Sequence, residues 1–216
     1  ILHNPFRRPE RMLLWGEVSA RAAQRLAEPE VARHFALCIQ RVMPKSYVEA
    51  MKEVTVTRDF LYNFAGDGVR FLFRGFSNPG NHTGQTSTGN RWPYGPVVII
   101  SPFNFPLEIP ALQMMGALYM GNKVTMKNAE KTSMVVEQFL RLLLECGLPT
   151  ESVDLLHSSG SVASELLRRA PVRLTQFTGG AQVSEQLCRE FAGKVRIEDA
   201  GFDWKILGPM LATSTT

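Results

Sequence analysis

Four short segments carry side chains that can do chemistry. Residues 101–106 read Ser-Pro-Phe-Asn-Phe-Pro. Two prolines stiffen this segment, and Asn104 can aim an amide N–H at a developing oxyanion or spend it on its own loop. Residues 127–130 read Lys-Asn-Ala-Glu. Lys127 and Glu130 can hold the hydroxyls of a ribose, or pair with each other at the surface. Residues 177–180 read Phe-Thr-Gly-Gly. Gly179 and Gly180 let a backbone approach a phosphate, and a helix starting behind them offers free N–H groups. The Gly-x-Gly-x-x-Gly dinucleotide fingerprint occurs nowhere in the chain. Residues 198–201 read Glu-Asp-Ala-Gly. Glu198 can act as a general base or as a helix or turn cap.

Each segment stands at the end of a short apolar run. Strands are expected at 97–101, 123–127, 153–157, 173–177 and 194–197. Helical patterns at 107–120, 133–146, 162–170 and 181–192 alternate with them. Such alternation points to βαβ units, a parallel sheet and helices on both faces. In an open parallel sheet, ligands bind outside the carboxyl ends of the strands, where the four segments fall.

The first third reads as helical. Pro29 suits the first position of a helix, and Val31, Phe35, Ile39 and Val42 follow at helical spacing. A weaker pattern covers 16–26, and a third helical stretch is expected over 57–76, interrupted at Gly66-Asp67-Gly68. Residues 77–90 are rich in turn formers and suggest a subdomain boundary or a hairpin. The expected architecture is α/β: a Rossmann-like doubly wound parallel sheet preceded by a helical region. Its divisions are an N-terminal helical region at 1–76, a loop or hairpin segment at 77–96, a sheet domain at 97–209 and a tail at 210–216.

Composition narrows the function classes. Of 216 residues, 44% are hydrophobic and 20% charged, ordinary values for a folded globular chain. They exclude a disordered chain, a collagen-like fibre and a disulfide scaffold. The apolar uncharged stretch 109–122 is too short to cross a bilayer, and no other uncharged stretch in the chain is long enough. The net charge of +4 is mild, and Arg7, Arg8 and Arg11 read as a solvated arm, so no nucleic-acid surface is expected. Cys38, Cys146 and Cys188 are far apart with no Cys-x-x-Cys, which argues against a metal site and suits a reducing compartment. The chain opens on Ile1 and closes on Ala-Thr-Ser-Thr-Thr, and neither end looks like a native terminus.

The order of the motifs adds a resemblance. Arg91-Trp92-Pro93-Tyr94-Gly95-Pro96, followed by the four segments above, resembles the aldehyde dehydrogenase superfamily from about Asn4 to Pro209. The segment Glu198-Asp199-Ala200-Gly201-Phe202-Asp203-Trp204-Lys205 resembles its plant-type mitochondrial Δ1-pyrroline-5-carboxylate dehydrogenase branch. The resemblance implies NAD as cofactor and a small-molecule aldehyde, glutamate γ-semialdehyde, as substrate. Asn104 would stabilise the oxyanion, and Glu198 would activate water for thioester hydrolysis. Lys127 and Glu130 would contact the adenosine ribose, and Gly179 and Gly180 would lie beside the pyrophosphate. Ser101, Pro102, Phe103 and Pro106 would line the cofactor site, with the two prolines and Phe103 as the floor under the nicotinamide. It also implies a mitochondrial matrix location and a homo-oligomer or a subunit of a larger complex.

Three departures accompany it. Ser184 stands where many relatives have Gly, and Phe103 stands where Trp is usual. The nucleophilic Cys of a Gly-Gln-x-Cys segment is absent, and the three cysteines present read as packing residues. The expected function is therefore the cofactor-binding half of an aldehyde dehydrogenase, inactive by itself. The alternatives are a catalytically inactive accessory subunit of a mitochondrial assembly and a stand-alone NAD-binding module.

Overall fold

The computed structural model describes residues 10–201, 205, 206 and 208. Arg7 and Arg8, the Phe202-Asp203-Trp204 part of the last motif and the 210–216 tail lie outside the described residues, as does the side chain of Arg11.

Three helices come first. Helix α1 (Glu10–Ala27) buries Met12, Trp15, Val18, Ala22, Ala23 and Leu26, one stripe at three- and four-residue spacing. Helix α2 (Pro29–Val42) starts on Pro29 and buries Phe35, Ala36 and Ile39. Helix α3 (Tyr47–Asn63) differs from the stretch expected at 57–76. Its start is set by a capping box, in which the Ser46 hydroxyl accepts from the Glu49 N–H at 3.2 Å and the Ser46 N–H donates to the Glu49 carboxylate at 3.0 Å. It ends at Asn63 with Phe64 as its C-cap, and from Gly66, where φ is +52°, residues Gly66–Phe73 continue as a tighter 3-10 turn. That turn lies against α1 so closely that a Cβ on Gly16 would meet the Gly66 carbonyl oxygen at 2.0 Å.

The segment at 77–90 forms a hairpin: β1 (Phe76–Pro79) pairs antiparallel with β2 (Thr86–Gly89), and nearly all of it is exposed.

The rest is a βα alternation. Strand β3 (Pro96–Ile100) leads to α4 (Glu108–Tyr119), and β4 (Lys123–Lys127) to α5 (Ser133–Glu145). Strand β5 (Val153–Leu155) leads to α6 (Gly160–Arg169), and β6 (Leu174–Thr178) to α7 (Ala181–Phe191) and then β7 (Val195–Glu198). All five strands are parallel, in the order β5-β4-β3-β6-β7.

The period-two alternation of β3 divides the interior. Val97 and Ile99 face a large core made with α1 to α5, while Val98 faces a small one with Leu167, Phe177, Leu187 and Val195. Helices therefore cover both faces, as a parallel sheet requires. The large core also holds a polar junction. The Tyr119 hydroxyl lies 2.5 Å from the Ser19 hydroxyl, which donates to the Leu61 carbonyl at 3.0 Å. Burial raises the Tyr119 pKa, so the phenol stays protonated and the junction keeps its donor.

Candidate functional site

Strand order locates the site. The chain leaves β3 for β4 and β5 on one side and returns to β6 and β7 on the other. The crossovers beginning at β3 and β6 thus diverge, opening a crevice outside their carboxyl ends. Register aligns those ends: Ile100 lies opposite both Lys127 and Phe177, and Thr178 lies opposite Glu198. All four polar segments consequently share one edge of the sheet.

The loop after β3 is anchored at both ends. The Ser101 N–H donates to the Lys127 carbonyl at 3.1 Å. The buried Ser101 hydroxyl donates to the Asn128 amide oxygen at 2.6 Å, and the Asn128 amide N–H lies 3.3 Å from both the carbonyl and the hydroxyl of Thr132. Ser101 therefore fastens two strand-end loops together. At the other end, Pro106 and Leu107 are buried. Between them Phe103, Asn104 and Phe105 are exposed, with Phe103 at 57%. The Asn104 side chain makes no hydrogen bond among the described residues, so its amide is free to donate outward.

The second anchor comes from the helical region. Glu53 on α3 is buried, and its Oε1 accepts from the backbone N–H groups of Leu107 at 2.8 Å and Glu108 at 3.2 Å. Its Oε2 accepts from Lys45 Nζ at 2.7 Å. The same ammonium sits 3.8 Å over the centre of the Phe105 ring. Burial raises the pKa of nearby Glu108, and the charge of Glu53 raises it further, against the opposing pull of Lys45 and Lys52. Sequence reading passed over Lys45 and Glu53. Their signal was Glu53 on the buried stripe Ala50, Val54, Thr57 and Leu61, a charge where the helical period demands an apolar residue.

At β4, Lys127 is buried and Glu130 exposed. They form no ion pair among the described residues. Burial lowers the Lys127 pKa, with Glu130 acting the other way. The loop after β5, residues 156–159, was not considered from sequence. It shares this edge and leads into α6, where the Ser159 hydroxyl accepts from the Val162 N–H.

At β6, the two glycines differ. Neither has a positive φ. A Cβ on Gly179 would meet the Phe177 ring at 2.7 Å, whereas a Cβ on Gly180 would meet nothing within 4 Å. Gly180 is the N-cap of α7, so the free N–H groups of that helix open beside unfilled space. The Gln113 amide on α4 donates to the Thr178 hydroxyl, while its buried Oε1 has no partner. This polar pair beneath the crevice was also passed over in the sequence.

At β7, the Glu198 carbonyl accepts from the Gly179 N–H at 3.1 Å, joining the two loops, and the Glu198 side chain is exposed. Ser184 is buried, and its hydroxyl lies 2.7 Å from the Ala181 carbonyl and 2.9 Å from Asp199 Oδ2. Ser184, one position at which the sequence departs from its resemblance, is thus bonded to the loop after β7.

The cysteines stand away from this edge. Burial raises the pKa of Cys146, and of half-buried Cys38, whose thiol lies 3.6 Å from His34. Cys188, read as a packing residue, is instead exposed, because the buried stripe of α7 runs through Ser184 and Leu187. Among the described residues, no cluster of His, Cys, Asp or Glu could hold a metal ion, and no helix is long and apolar enough to cross a membrane.

Comparison with known proteins gives a consistent set of relatives. A family model described as "Aldehyde dehydrogenase family" matches residues 16–201. The chain is 60% identical over 208 residues to Delta-1-pyrroline-5-carboxylate dehydrogenase 12A1, mitochondrial, of Arabidopsis thaliana. That match covers 96% of this chain and 37% of the Arabidopsis protein. Among solved structures, proline utilization A (PutA) of Bradyrhizobium japonicum superposes with a TM-score of 0.79 at 29% identity, over 88% of this chain and 20% of that one. A NAD-dependent aldehyde dehydrogenase from Sinorhizobium meliloti superposes with a TM-score of 0.77 at 26% identity, over 89% and 37%.

Proposed function

The chain belongs to the aldehyde dehydrogenase family, and from that premise we propose that it is the cofactor-binding part of an NAD-dependent enzyme that oxidises glutamate γ-semialdehyde. The observation carrying the reading is the crevice between β3 and β6, with the open N-terminus of α7 on one side and the free Asn104 amide on the other. A dinucleotide fits what stands there. The empty space at Gly180 admits a pyrophosphate onto the α7 N–H groups. Lys127, unpaired with Glu130, supplies a donor to the adenosine ribose. The Glu130 carboxylate accepts from its hydroxyls and would repel a 2′-phosphate, which selects NAD over NADP. The substrate assignment rests on the similarity to the Arabidopsis protein, and so does a mitochondrial location.

NAD, when bound, supplies the hydride acceptor. The chain's own residues orient and stabilise. Asn104 donates its amide N–H to the oxygen that becomes negative when the aldehyde carbonyl is attacked. The exposed Glu198 carboxylate takes a proton from the water that releases the acid product. No thiol in this segment can make the initial attack. Cys38 and Cys146 have raised pKa values, and none of the three cysteines is on a strand-end loop. This segment alone is therefore inactive. Exposed Phe71, Phe76, Trp92 and Tyr94 favour association, with a second copy or within a larger assembly.

The test is calorimetric titration of the purified chain with NAD and NADP, beside a Glu130→Gln variant. NAD binds in preference to NADP, and the variant loses the preference. Absence of binding overturns the cofactor reading and leaves an accessory subunit. NADH formed from glutamate γ-semialdehyde by this segment alone overturns the claim of inactivity.

A further inference from the structure

We propose that Lys45 and Glu53, two residues of the N-terminal helices, form the positioning device that aims the Asn104 loop for the dehydrogenase reaction. This rests on the function proposed above.

Helix α4 begins at Glu108, and its N-cap is Leu107, whose side chain cannot accept a hydrogen bond. The free N–H groups at the start of a helix need acceptors when they are buried. Glu53 supplies one carboxylate oxygen to two of them, at 2.8 and 3.2 Å, from another helix. Its charge is also of the sign that a helix N-terminus favours. A lone buried carboxylate is unfavourable, and Lys45 compensates it at 2.7 Å. Lys45 then extends the device into the loop by lying 3.8 Å over the Phe105 ring.

Asn104 lies between two fastenings. Upstream, Ser101 is held by Asn128 and the Lys127 carbonyl. Downstream, Phe105 and Leu107 are held by Lys45 and Glu53. Asn104 has no hydrogen bond of its own among the described residues, so its orientation is inherited from its neighbours. An amide aimed at an oxyanion loses effect steeply with small displacement, so the downstream fastening bears on rate. Glu53 is buried, and the Lys45 ammonium is engaged by Glu53 and the Phe105 ring, so both are positioning residues.

The experiment uses the full-length enzyme carrying Glu53→Gln, Glu53→Ala or Lys45→Met. Glutamine keeps the Oε1 acceptor but drops the charge pair. Glu53→Ala and Lys45→Met are expected to lower kcat at least tenfold with KM for NAD changed less than twofold, and Glu53→Gln to recover kcat to within threefold of the parent. A merely structural role gives a lower melting temperature with unchanged kcat below it, and that result overturns the proposal. Hydrogen exchange at the Leu107 and Glu108 amides gives a readout independent of turnover. It is expected to accelerate at least tenfold in Glu53→Ala, while the β4 amides keep the parent rate. Unchanged exchange overturns the anchor. An inactive parent overturns the underlying functional reading and the effect on rate with it, and the exchange data then decide the anchor alone. If Glu53→Ala does not fold, the kinetics of Lys45→Met and the exchange in Glu53→Gln, which should stay near the parent rate, decide the question.

Discussion

Gly179 and Gly180 are neighbours with different reasons for being glycine, so alanine at each should fail differently. A methyl group on Gly179 would sit 2.7, 3.2 and 3.3 Å from three atoms of the Phe177 ring. Ordinary carbon contact needs about 3.5–4.0 Å, so the ring must move by roughly 0.8 Å or more. Phe177 is 4% exposed and packed with Val98, Leu167, Leu187 and Val195, so little space is available. Overpacking of this kind costs about 1–3 kcal/mol. In a chain of this size each kcal/mol lowers the melting temperature by about 2–4 °C. Gly179→Ala should therefore melt about 2–12 °C below the parent. Gly180 has φ −75° and ψ 148°, which alanine adopts without strain, and its added methyl meets nothing within 4 Å. Only its slight advantage over alanine as an N-cap is lost, about half a kcal/mol. That methyl would nevertheless occupy the space proposed for the pyrophosphate. Gly180→Ala should thus melt within about 2 °C of the parent yet bind NAD at least tenfold more weakly. Thermal unfolding followed by circular dichroism and calorimetric NAD titration check both halves. Gly179→Ala melting with the parent refutes the steric argument. Gly180→Ala binding NAD as the parent does refutes the phosphate cradle.

Three further outcomes are expected, two of them at the same edge of the sheet. Ser184→Ala removes the hydroxyl that reaches Asp199 and should cost about 1 kcal/mol in urea unfolding; an unchanged midpoint would show that the loop after β7 is held by other contacts. Ala192 has φ +46°, a strained value for a residue with a Cβ, so Ala192→Gly should raise stability by about 1 kcal/mol after the entropy of glycine is subtracted; a lower melting temperature would contradict this. Lys127→Met should weaken NAD binding about tenfold or more. It should also remove a pH dependence. Because the folded pKa of Lys127 lies below the ordinary lysine value, the unfolded chain binds more protons between the two. Parent stability should rise through that window relative to Lys127→Met, with a constant difference at lower pH, and a constant difference from neutral pH up to the ordinary lysine value would refute the buried placement.

How much of this was legible in sequence depends on the range of the interaction. Ser133–Glu145 and Ala181–Phe191 were readable because their apolar spacing is local. Helix α3 was misjudged because Phe60, Leu61, Phe64 and Leu72 continue a helical rhythm past Gly66, where the backbone turns. The Ser46–Glu49 capping box was a readable start signal that the sequence reading passed over. Glu53 was harder, since its partners Leu107 and Glu108 lie 54 and 55 residues away.

The sequence by itself determined the βα alternation, the four strand-end segments and the order of motifs that marks the family, because each is written in neighbouring residues. Tertiary structure decided the strand order that opens the crevice between β3 and β6. It also decided that Gly179 is required by an aromatic ring while Gly180 faces open space, that Ser101 fastens loops, and that Lys45 and Glu53 hold the start of α4. These depend on distances between residues far apart in the chain, and such distances exist only once the helices and sheet have packed.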